Sequence, residues 1–255
     1  MTAAAANPGI SLAAVRLSGV DLGLEPTLDD AELARANTFR SPALRERFVA
    51  GRIALRRHIS ALTGDSPASL KSNYFCPSCR NGSNQGHGLP LYQLLSGAES
   101  LHVSLSRSGD WCLLAASLDE SIAGIGVDIE MGSSADFDGF QSLVLTANER
   151  NELRKVPSAL KNTVQTRLWV RKEAVLKALG TGLATAPSLL DVSESSPAGP
   201  GSQPGRELWK LKDISPASVG LPQDVIASVA TKQRNGAIKG WLAFAPGMSS
   251  ATHQA

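Results

Sequence analysis

Three residues of one predicted helix could bind a metal ion together with a polyphosphate. Glu173 lies between Lys172 and Lys177 in a run of strong helix formers from residue 169 to Gly180, which suits a C-terminal cap. At about 100° per residue, Glu173 and Lys177 share one face and Lys172 lies beside it. A solvated surface ion pair would explain the same spacing. This segment alone leaves both interpretations open.

Two further acids alternate along a predicted strand. In Val127-Asp128-Ile129-Glu130, the period of two places both carboxylates on one face and the apolar residues on the other. Neighbouring carboxylates repel each other unless a cation, a base or solvent compensates. Together with Glu173 they form the kind of oxygen-ligand set that Mg²⁺ prefers. A solvated edge strand is the structural alternative.

Arginine is concentrated in one part of a nearly neutral chain. The formal charge is +2, yet residues 35–57 contain seven arginines against the single acid Glu46. Guanidinium groups make bidentate contacts to phosphate, so two or three of them are candidates for binding a phosphorylated ligand. The small net charge argues against a nucleic-acid partner. The residues therefore predict metal-assisted chemistry on a phosphorylated substrate, with nuclease, phosphatase and phosphoryl-group transferase all open.

The elements that must position these groups mix strands and helices without regular βαβ alternation, which predicts an α+β fold. We expect helices at 28–38, 43–62 and 169–180, with another that opens near Thr146. We expect strands at 10–18, 101–106, 111–117, 122–130, 207–212, 225–231 and 238–244. Loop composition marks residues 72–90 and the Ser-, Pro- and Gly-rich segment 193–205. Two lobes of similar size are plausible.

Other reactive side chains have structural explanations. Glu149 follows Thr146 by three residues, so a capping box accounts for it fully. Cys76, Cys79 and His87 supply only three of the four ligands of a structural zinc site, which disfavours zinc.

The cellular compartment is suggested by what the chain does not contain. Its three cysteines cannot pair completely, which favours a reducing environment. No signal peptide and no apolar run of membrane-spanning length is recognisable. We therefore expect a cytoplasmic protein with no membrane partner.

The paired motifs resemble a known family. Gly126-Val127-Asp128-Ile129-Glu130, followed by Trp169-x-x-Lys172-Glu173-Ala174-x-x-Lys177-Ala178-x-Gly180, is similar to the signature pair of the 4′-phosphopantetheinyl transferases. The likeness is to the larger, pseudo-dimeric type that activates nonribosomal peptide and polyketide synthases for secondary metabolite biosynthesis. Three further segments resemble family elements in the same order: Arg47-Phe48-x-x-Gly51-Arg52, Cys76-x-x-Cys79 through His87-Gly88-x-Pro90, and Val103-Ser104-Leu105-Ser106-x-Ser108-Gly109.

The resemblance implies transfer of the 4′-phosphopantetheine arm of coenzyme A to a serine of an apo acyl or peptidyl carrier protein, with release of 3′,5′-ADP. It implies a monomer of two α+β lobes, residues 1–125 and 126–255, with the active site in the cleft between them. The implied roles are Mg²⁺ binding by Asp128, Glu130 and Glu173; coenzyme A binding by Arg40, Arg52, Ser106, Arg107, Lys172 and Lys177; and catalysis by Glu149, Glu173 and Lys177. Glu149, or a metal-bound water, would take the serine proton.

Two positions depart from the family pattern. Leu89 replaces a phosphate-binding lysine, and Arg107 replaces a histidine. Arginine keeps a cationic donor, whereas leucine offers only apolar contact. These departures motivate one rival hypothesis, a coenzyme A- or carrier-protein-binding homologue with weakened catalysis. The three carboxylates alone leave another, a Mg²⁺-dependent phosphohydrolase.

Overall fold

The computed structural model describes residues 9–75, 88–95, 97, 101–132, 135, 137–198 and 209–234. The described helices are α1 (Asp30–Ala36), α2 (Pro42–Thr63), α3 (Phe140–Val144), α4 (Ala147–Lys155), α5 (Lys161–Leu179) and α6 (Pro216–Val219). The described strands are β1 (Ser11–Arg16), β2 (Lys71–Phe75), β3 (Leu89–Gln93), β4 (His102–Ser108), β5 (Trp111–Ser117), β6 (Ile122–Met131), β7 (Trp209–Ile214) and β8 (Val225–Gln233).

A three-stranded sheet and one long helix form the first half of the fold. The strands pair antiparallel in the order β1-β5-β4. α2 begins at Pro42, whose fixed φ suits a first helical turn, and ends at Gly64, which has a φ of 83°. Leu55 and Ile59 of the helix share a buried cluster with Leu114 of β5. This apolar face holds α2 on the sheet.

The second half also combines a three-stranded antiparallel sheet with a long helix. Its strands follow the order β6-β8-β7, and α5 packs on them with Val175 and Leu176 fully buried. Gly180, with a φ of 73°, ends α5 where the sequence predicts a cap.

An apolar cluster joins the two sheets. Leu113 and Ala115 of β5 belong to the same buried cluster as Val127 and Ile129 of β6. Since successive residues of a strand point to opposite faces, Asp128 lies on the other face of β6. The packing of the sheets thus fixes the direction in which the β6 acids point.

Two glycines let β6 approach α5 closely. A Cβ at Gly126 would lie 1.9 Å from the Ala174 carbonyl oxygen, and one at Gly124 would lie 2.2 Å from the Ala178 carbonyl oxygen. No side chain fits in that space, so the strand and helix backbones come into direct contact. This contact sets the acids of β6 beside the polar face of α5.

Most predicted elements agree with the structure, and the antiparallel mixed architecture fits the predicted α+β class. The loop prediction for residues 72–90 was wrong at both ends of the segment, because β2 and β3 pair antiparallel there, and residues 76–87 lie outside the described residues. β6 begins at Ile122, so the expected lobe boundary after residue 125 falls inside this strand. The predicted strand 238–244, most of the 193–205 loop, and Cys76, Cys79 and His87 lie outside the described residues. None of the helices within the described ranges has the length and apolar character needed to cross a membrane.

Candidate active site

Asp128 is the best anchored acid of the site. Its side chain is 95% buried, and Oδ1 accepts hydrogen bonds from Ser106 Oγ of β4 and from Lys177 Nζ of α5, each at 2.6 Å. Lys177 also donates to the Val127 carbonyl oxygen at 3.2 Å. Asp128 Oδ2 is buried and has no hydrogen-bond partner among the described residues. One oxygen is therefore held by two donors while the other remains available.

Glu130 lies two residues further along the same face of β6. Its Oε2 accepts a hydrogen bond from Ser108 Oγ at 2.9 Å, and Ser108 Oγ in turn accepts from the Met131 backbone N–H at 3.2 Å. Both predicted strand acids are thus oriented by serines of β4, which belongs to the other sheet.

Glu173 faces these acids from α5. Burial raises the pKa of its carboxyl to about 7, and the negative charges of Asp128 and Glu130 act in the same direction while Lys177 opposes them. Its Oε1 is buried and has no hydrogen-bond partner within the described ranges. Glu173 therefore lies within electrostatic range of both β6 acids.

The donor set fits a hard divalent cation. Two buried carboxylate oxygens without partners, with a third carboxylate beside them, are costly unless a positive charge compensates. In the described part of the chain, no three His, Cys, Asp or Glu side chains are arranged to hold a metal ion in this structure, so the fit rests on donor chemistry and on the two oxygens without partners. The charges of Asp128 and Glu130 act on Glu173, and Lys177 opposes them.

A cavity of about 680 Å³ opens beside the acids. One wall comes from the first half of the chain and the other from α5 with the segment that follows it. The lining residues are Arg52, Gly88, Leu89, Pro90, Ser104, Leu105, Arg107, Glu173, Lys177 and residues 180–184. Its size is within the roughly 300–1,000 Å³ typical of small-molecule sites.

Arg52 contributes an unused cation to this cavity. Its guanidinium is stacked between the rings of Phe48 and Tyr74, at 5.0 and 4.9 Å from their centroids. Its Nε and Nη1 are buried and have no hydrogen-bond partner among the described residues. The rings hold the guanidinium in place without using its N–H groups, which suits an anionic ligand.

Arg107 lies on the same side of the cavity. Burial and the neighbouring Arg52 guanidinium lower the pKa of Arg107, and its Nη1 donates to the Arg47 carbonyl oxygen at 3.3 Å. Leu89 lines the same cavity, and its Cδ2 would lie 3.1 Å from a Cβ at Gly180. The two departures from the family pattern thus form a charged part and an apolar part of one wall.

Lys172 does not reach this cavity, contrary to the expectation that it meets phosphates. It is fully buried on another face of α5, where its Nζ donates to the carbonyl oxygens of Pro187 and Leu190 and lies 2.7 Å from Glu149 Oε2. Its buried position explains the placement, because an ammonium without water needs several oxygen partners. The structure assigns Lys172 to the core of the second half.

Glu149 is the partner of Lys172 and is equally buried. The predicted capping box with Thr146 is confirmed, and Glu149 Oε1 also accepts from the Val192 backbone N–H at 2.8 Å. Both oxygens are engaged, and Glu149 borders a separate cavity of about 400 Å³. Of the two accounts left open for Glu149, this placement favours the structural one over that of a base.

Two other expected coenzyme ligands lie away from the cavity wall. Ser106 is buried and donates to Asp128, and Arg40 is exposed; neither lines the cavity. Arg56, one turn beyond Arg52 on α2, is used within the core, where it bonds to Glu32 and to the carbonyl oxygens of Pro67 and Leu70.

Ser104 and Ser108 are site residues that the sequence reasoning did not single out. They alternate with Ser106 along β4, and Ser104 Oγ accepts from the Val127 backbone N–H at 3.1 Å. Three serines with a period of two share one strand face, and that pattern was the available signal. The alternation alone does not predict that these serines contact β6.

The geometry defines a class of site: a cavity lined by Glu173 and three cations, with the β6 acids behind Glu173, which suits an anionic ligand. A family model described as the 4′-phosphopantetheinyl transferase superfamily matches residues 124–218, which contain all three acids. The chain is 30% identical over 195 residues to 4′-phosphopantetheinyl transferase HetI of Nostoc sp., covering 76% of each protein. The chain belongs to the 4′-phosphopantetheinyl transferase superfamily, and the enzyme class expected from its motifs is confirmed.

Two further similarities are partial. 4′-Phosphopantetheinyl transferase psf-1 of Bacillus pumilus is 30% identical over 100 residues, which is 39% of this chain and 40% of that protein. A crystal structure of a holo-(acyl-carrier-protein) synthase from Bacillus anthracis in complex with CoA (3′,5′-ADP) is 21% identical. It has a TM-score of 0.36 and covers 44% of this chain and 96% of that one.

Proposed function

We propose that this enzyme transfers the 4′-phosphopantetheine arm of coenzyme A to a serine of an apo acyl or peptidyl carrier protein. The serine oxygen forms a bond to the phosphorus that carries the pantetheine arm. The bond from that phosphorus to the bridging pyrophosphate oxygen breaks, 3′,5′-ADP leaves with that oxygen, and the serine proton passes to solvent water. The supporting observation is a cavity lined by Glu173 and Arg52, whose carboxylate Oε1 and guanidinium Nε and Nη1 have no hydrogen-bond partners among the described residues.

In this proposal Asp128, Glu130 and Glu173 hold Mg²⁺, which would supply electrostatic stabilisation of the charge that develops on the pyrophosphate. Lys177 donates to Asp128 and to the Val127 carbonyl oxygen and lines the cavity, so its one remaining N–H can bind a phosphate. Arg107 would meet the pyrophosphate and Arg52 the ribose 3′-phosphate. Lys172 and Glu149 have no direct role in the transfer because their polar atoms are engaged in the core.

The binding cleft would lie between two lobes. Each half has a three-stranded sheet and a long helix, and the cavity is lined by residues of both. We propose a pseudo-dimeric monomer in which coenzyme A lies between α2 and α5.

The proposal is tested by incubating the enzyme with apo carrier proteins, coenzyme A and Mg²⁺ and measuring intact carrier mass. We expect a gain of one phosphopantetheine, prevented by chelation of the metal or by replacement of the acceptor serine. A panel of fatty-acid, polyketide and peptide-synthetase carriers identifies the preferred partner. If no carrier is modified although coenzyme A binds, the transferase proposal fails.

Leu89 favours a second candidate, a homologue that binds coenzyme A or a carrier protein with weakened catalysis. The leucine makes an apolar contact at the end of α5 where the family pattern has a phosphate-binding lysine. If catalysis is weakened for this reason, Leu89→Lys combined with Arg107→His increases the transfer rate by an order of magnitude or more. An unchanged rate counts against this candidate.

A further inference from the structure

We propose that Ser106 and Ser108 are positioning residues that orient the β6 carboxylates toward a divalent cation. The inference rests on the proposed function, because it concerns the same metal site. It assigns Ser106 a different role from coenzyme binding and gives Ser108 a role of its own.

The two hydroxyls connect strands of different sheets. β4 belongs to the sheet β1-β5-β4 and β6 to the sheet β6-β8-β7, so these side-chain bonds are additional to the backbone ladders. Ser106 Oγ lies 2.6 Å from Asp128 Oδ1, and Ser108 Oγ lies 2.9 Å from Glu130 Oε2. Each serine residue is only 8% exposed, which shields these bonds from competition by water.

The direction of each bond follows from hydrogen-bond chemistry. An ionised carboxylate only accepts, so the serine must donate its single hydroxyl proton to it. Ser108 Oγ also accepts from the Met131 backbone N–H, which turns its proton toward Glu130. Ser106 has thus committed its proton to Asp128 and has no second one to offer a coenzyme phosphate.

The donors leave a defined set of oxygens free. Ser106 and Lys177 both bind Oδ1 of Asp128, so Oδ2 remains without a partner among the described residues. Glu173 Oε1 is the other buried carboxylate oxygen of the site with no partner in that part of the chain. Outer-shell hydrogen bonds of this kind hold metal ligands in orientation, and their loss typically lowers metal affinity by about 10- to 100-fold.

Ser104 provides a matched control for metal binding measured without coenzyme, because it lines the cavity but contacts no carboxylate. It lies on the same face of β4 and contacts the same strand, but its Oγ accepts from the Val127 backbone N–H and touches no carboxylate. The variants Ser104→Ala, Ser106→Ala and Ser108→Ala remove the same atom from three successive positions of one pattern. Ser108→Thr keeps a hydroxyl at the position where Ser108→Ala removes it.

The experiment measures the affinity of the full chain for Mn²⁺, as a paramagnetic probe of the Mg²⁺ site, by electron paramagnetic resonance without coenzyme or carrier. We expect Ser106→Ala and Ser108→Ala to weaken Mn²⁺ binding about tenfold or more. We expect Ser104→Ala to stay within about twofold of the unsubstituted protein, and Ser108→Thr to recover most of the loss. Circular dichroism identifies any variant that does not fold, in which case Ser106→Cys and Ser108→Cys, which keep the volume and replace the hydroxyl by a weak donor, carry the test.

The outcomes separate this inference from the proposed function. If the unsubstituted chain binds no Mn²⁺, or if Asp128→Asn leaves binding unchanged, the metal site itself fails. If the chain binds Mn²⁺ but the serine variants bind equally well, only the positioning role is overturned. An equal loss in Ser104→Ala also overturns it, since the effect would then be a general consequence of disturbing β4.

Discussion

Two lysines on different faces of α5 each pair with a buried carboxylate, and the pairs differ in how many of their polar atoms have hydrogen-bond partners. In the Glu149–Lys172 pair both carboxylate oxygens accept hydrogen bonds and the ammonium has three oxygen partners. In the Asp128–Lys177 pair one carboxylate oxygen has no partner within the described ranges, and neither has the nearby Glu173 Oε1. Both lysines belong to the same motif. The Glu149–Lys172 pair belongs to the core, whereas the Asp128–Lys177 pair keeps a carboxylate oxygen that could bind a ligand.

The same contrast recurs on α2. Arg56 forms ion pairs with Glu32 and Asp29, and only its Nη2 lacks a hydrogen bond, whereas Arg52 has no ion pair and keeps two buried nitrogens without hydrogen-bond partners among the described residues. Because unpaired buried polar atoms are expensive, they persist where function requires them or where a ligand completes them. Ion pairing and hydrogen bonding together therefore distinguish Arg56 from Arg52, and Lys172 from Lys177, which residue type alone cannot do.

The largest expected effect is on stability, and it follows from breaking the Glu149–Lys172 pair. Lys172→Met should lower the free energy of unfolding by about 3–5 kcal/mol, because it leaves the buried Glu149 carboxylate without its counter-charge. Urea denaturation measures the change. The double variant Glu149→Gln, Lys172→Met should recover part of the loss, since no charge is then stranded.

Lys155→Met is the control for this prediction. The Lys155–Glu152 pair lies on the surface of α4, with 70% and 55% of the two side chains exposed, so its loss should cost at most about 1 kcal/mol. If Lys172→Met instead kept its stability and lost coenzyme A affinity, Lys172 would be a phosphate ligand after all.

The next prediction concerns Arg52, whose guanidinium has buried N–H groups without hydrogen-bond partners among the described residues. Arg52→Gln should weaken coenzyme A binding by about 10- to 100-fold, because it removes a charge-assisted hydrogen bond worth about 1.5–3 kcal/mol. Isothermal titration calorimetry measures the change. The loss should shrink for dephospho-coenzyme A if Arg52 meets the 3′-phosphate, and an equal loss for both ligands would place Arg52 elsewhere on the coenzyme.

Glu173 should make the protein less stable as the pH rises, which is the opposite of the effect of a carboxylate whose pKa is lowered on folding. Its pKa rises from 4.5 to about 7 on folding, so the native state binds the proton more tightly than the unfolded state. With metal chelated, stability should therefore fall as pH increases from about 4.5 to 7, and the full loss should persist above pH 7. Allowing for partial exposure, the contribution is about 2 kcal/mol.

The variant Glu173→Gln should remove this pH dependence and be more stable than the unsubstituted chain at pH 8 in chelator, while losing transferase activity. Chemical denaturation at pH 5, 6, 7 and 8 measures it, with Glu152→Gln as the surface control. Added Mg²⁺ should restore stability to the unsubstituted protein alone. An unchanged pH profile in Glu173→Gln would mean that another group causes the effect.

Much of the site could be predicted from local sequence because its determinants are local. The period of a strand put Asp128 and Glu130 on one face, helical spacing put Glu173 beside Lys177, and Gly180 ended the helix where expected. The capping box of Glu149 follows from the same kind of short-range rule.

What could not be predicted depends on tertiary packing. Lys172 lies only one residue from Glu173, and the rotation that buries one and exposes the other to the cavity is set by contacts with residues 187–192. The β2–β3 hairpin was missed because its two strands flank a long polar segment that reads as a loop. The pairing of the β4 serines with β6 required knowledge of which sheet edges adjoin.

Arg40 gives the smallest expected effect and tests whether family position or cavity geometry is the better guide. The residue is exposed and does not line the cavity, whereas Arg52 is buried against it. Exposed charges are screened by salt, so Arg40→Ala should change coenzyme A affinity by less than about twofold at physiological ionic strength. Titration calorimetry alongside Arg52→Gln makes the comparison direct. A tenfold loss in Arg40→Ala would show that the N-terminal end of α2 closes onto the coenzyme, and that burial in the ligand-free chain underestimates the site.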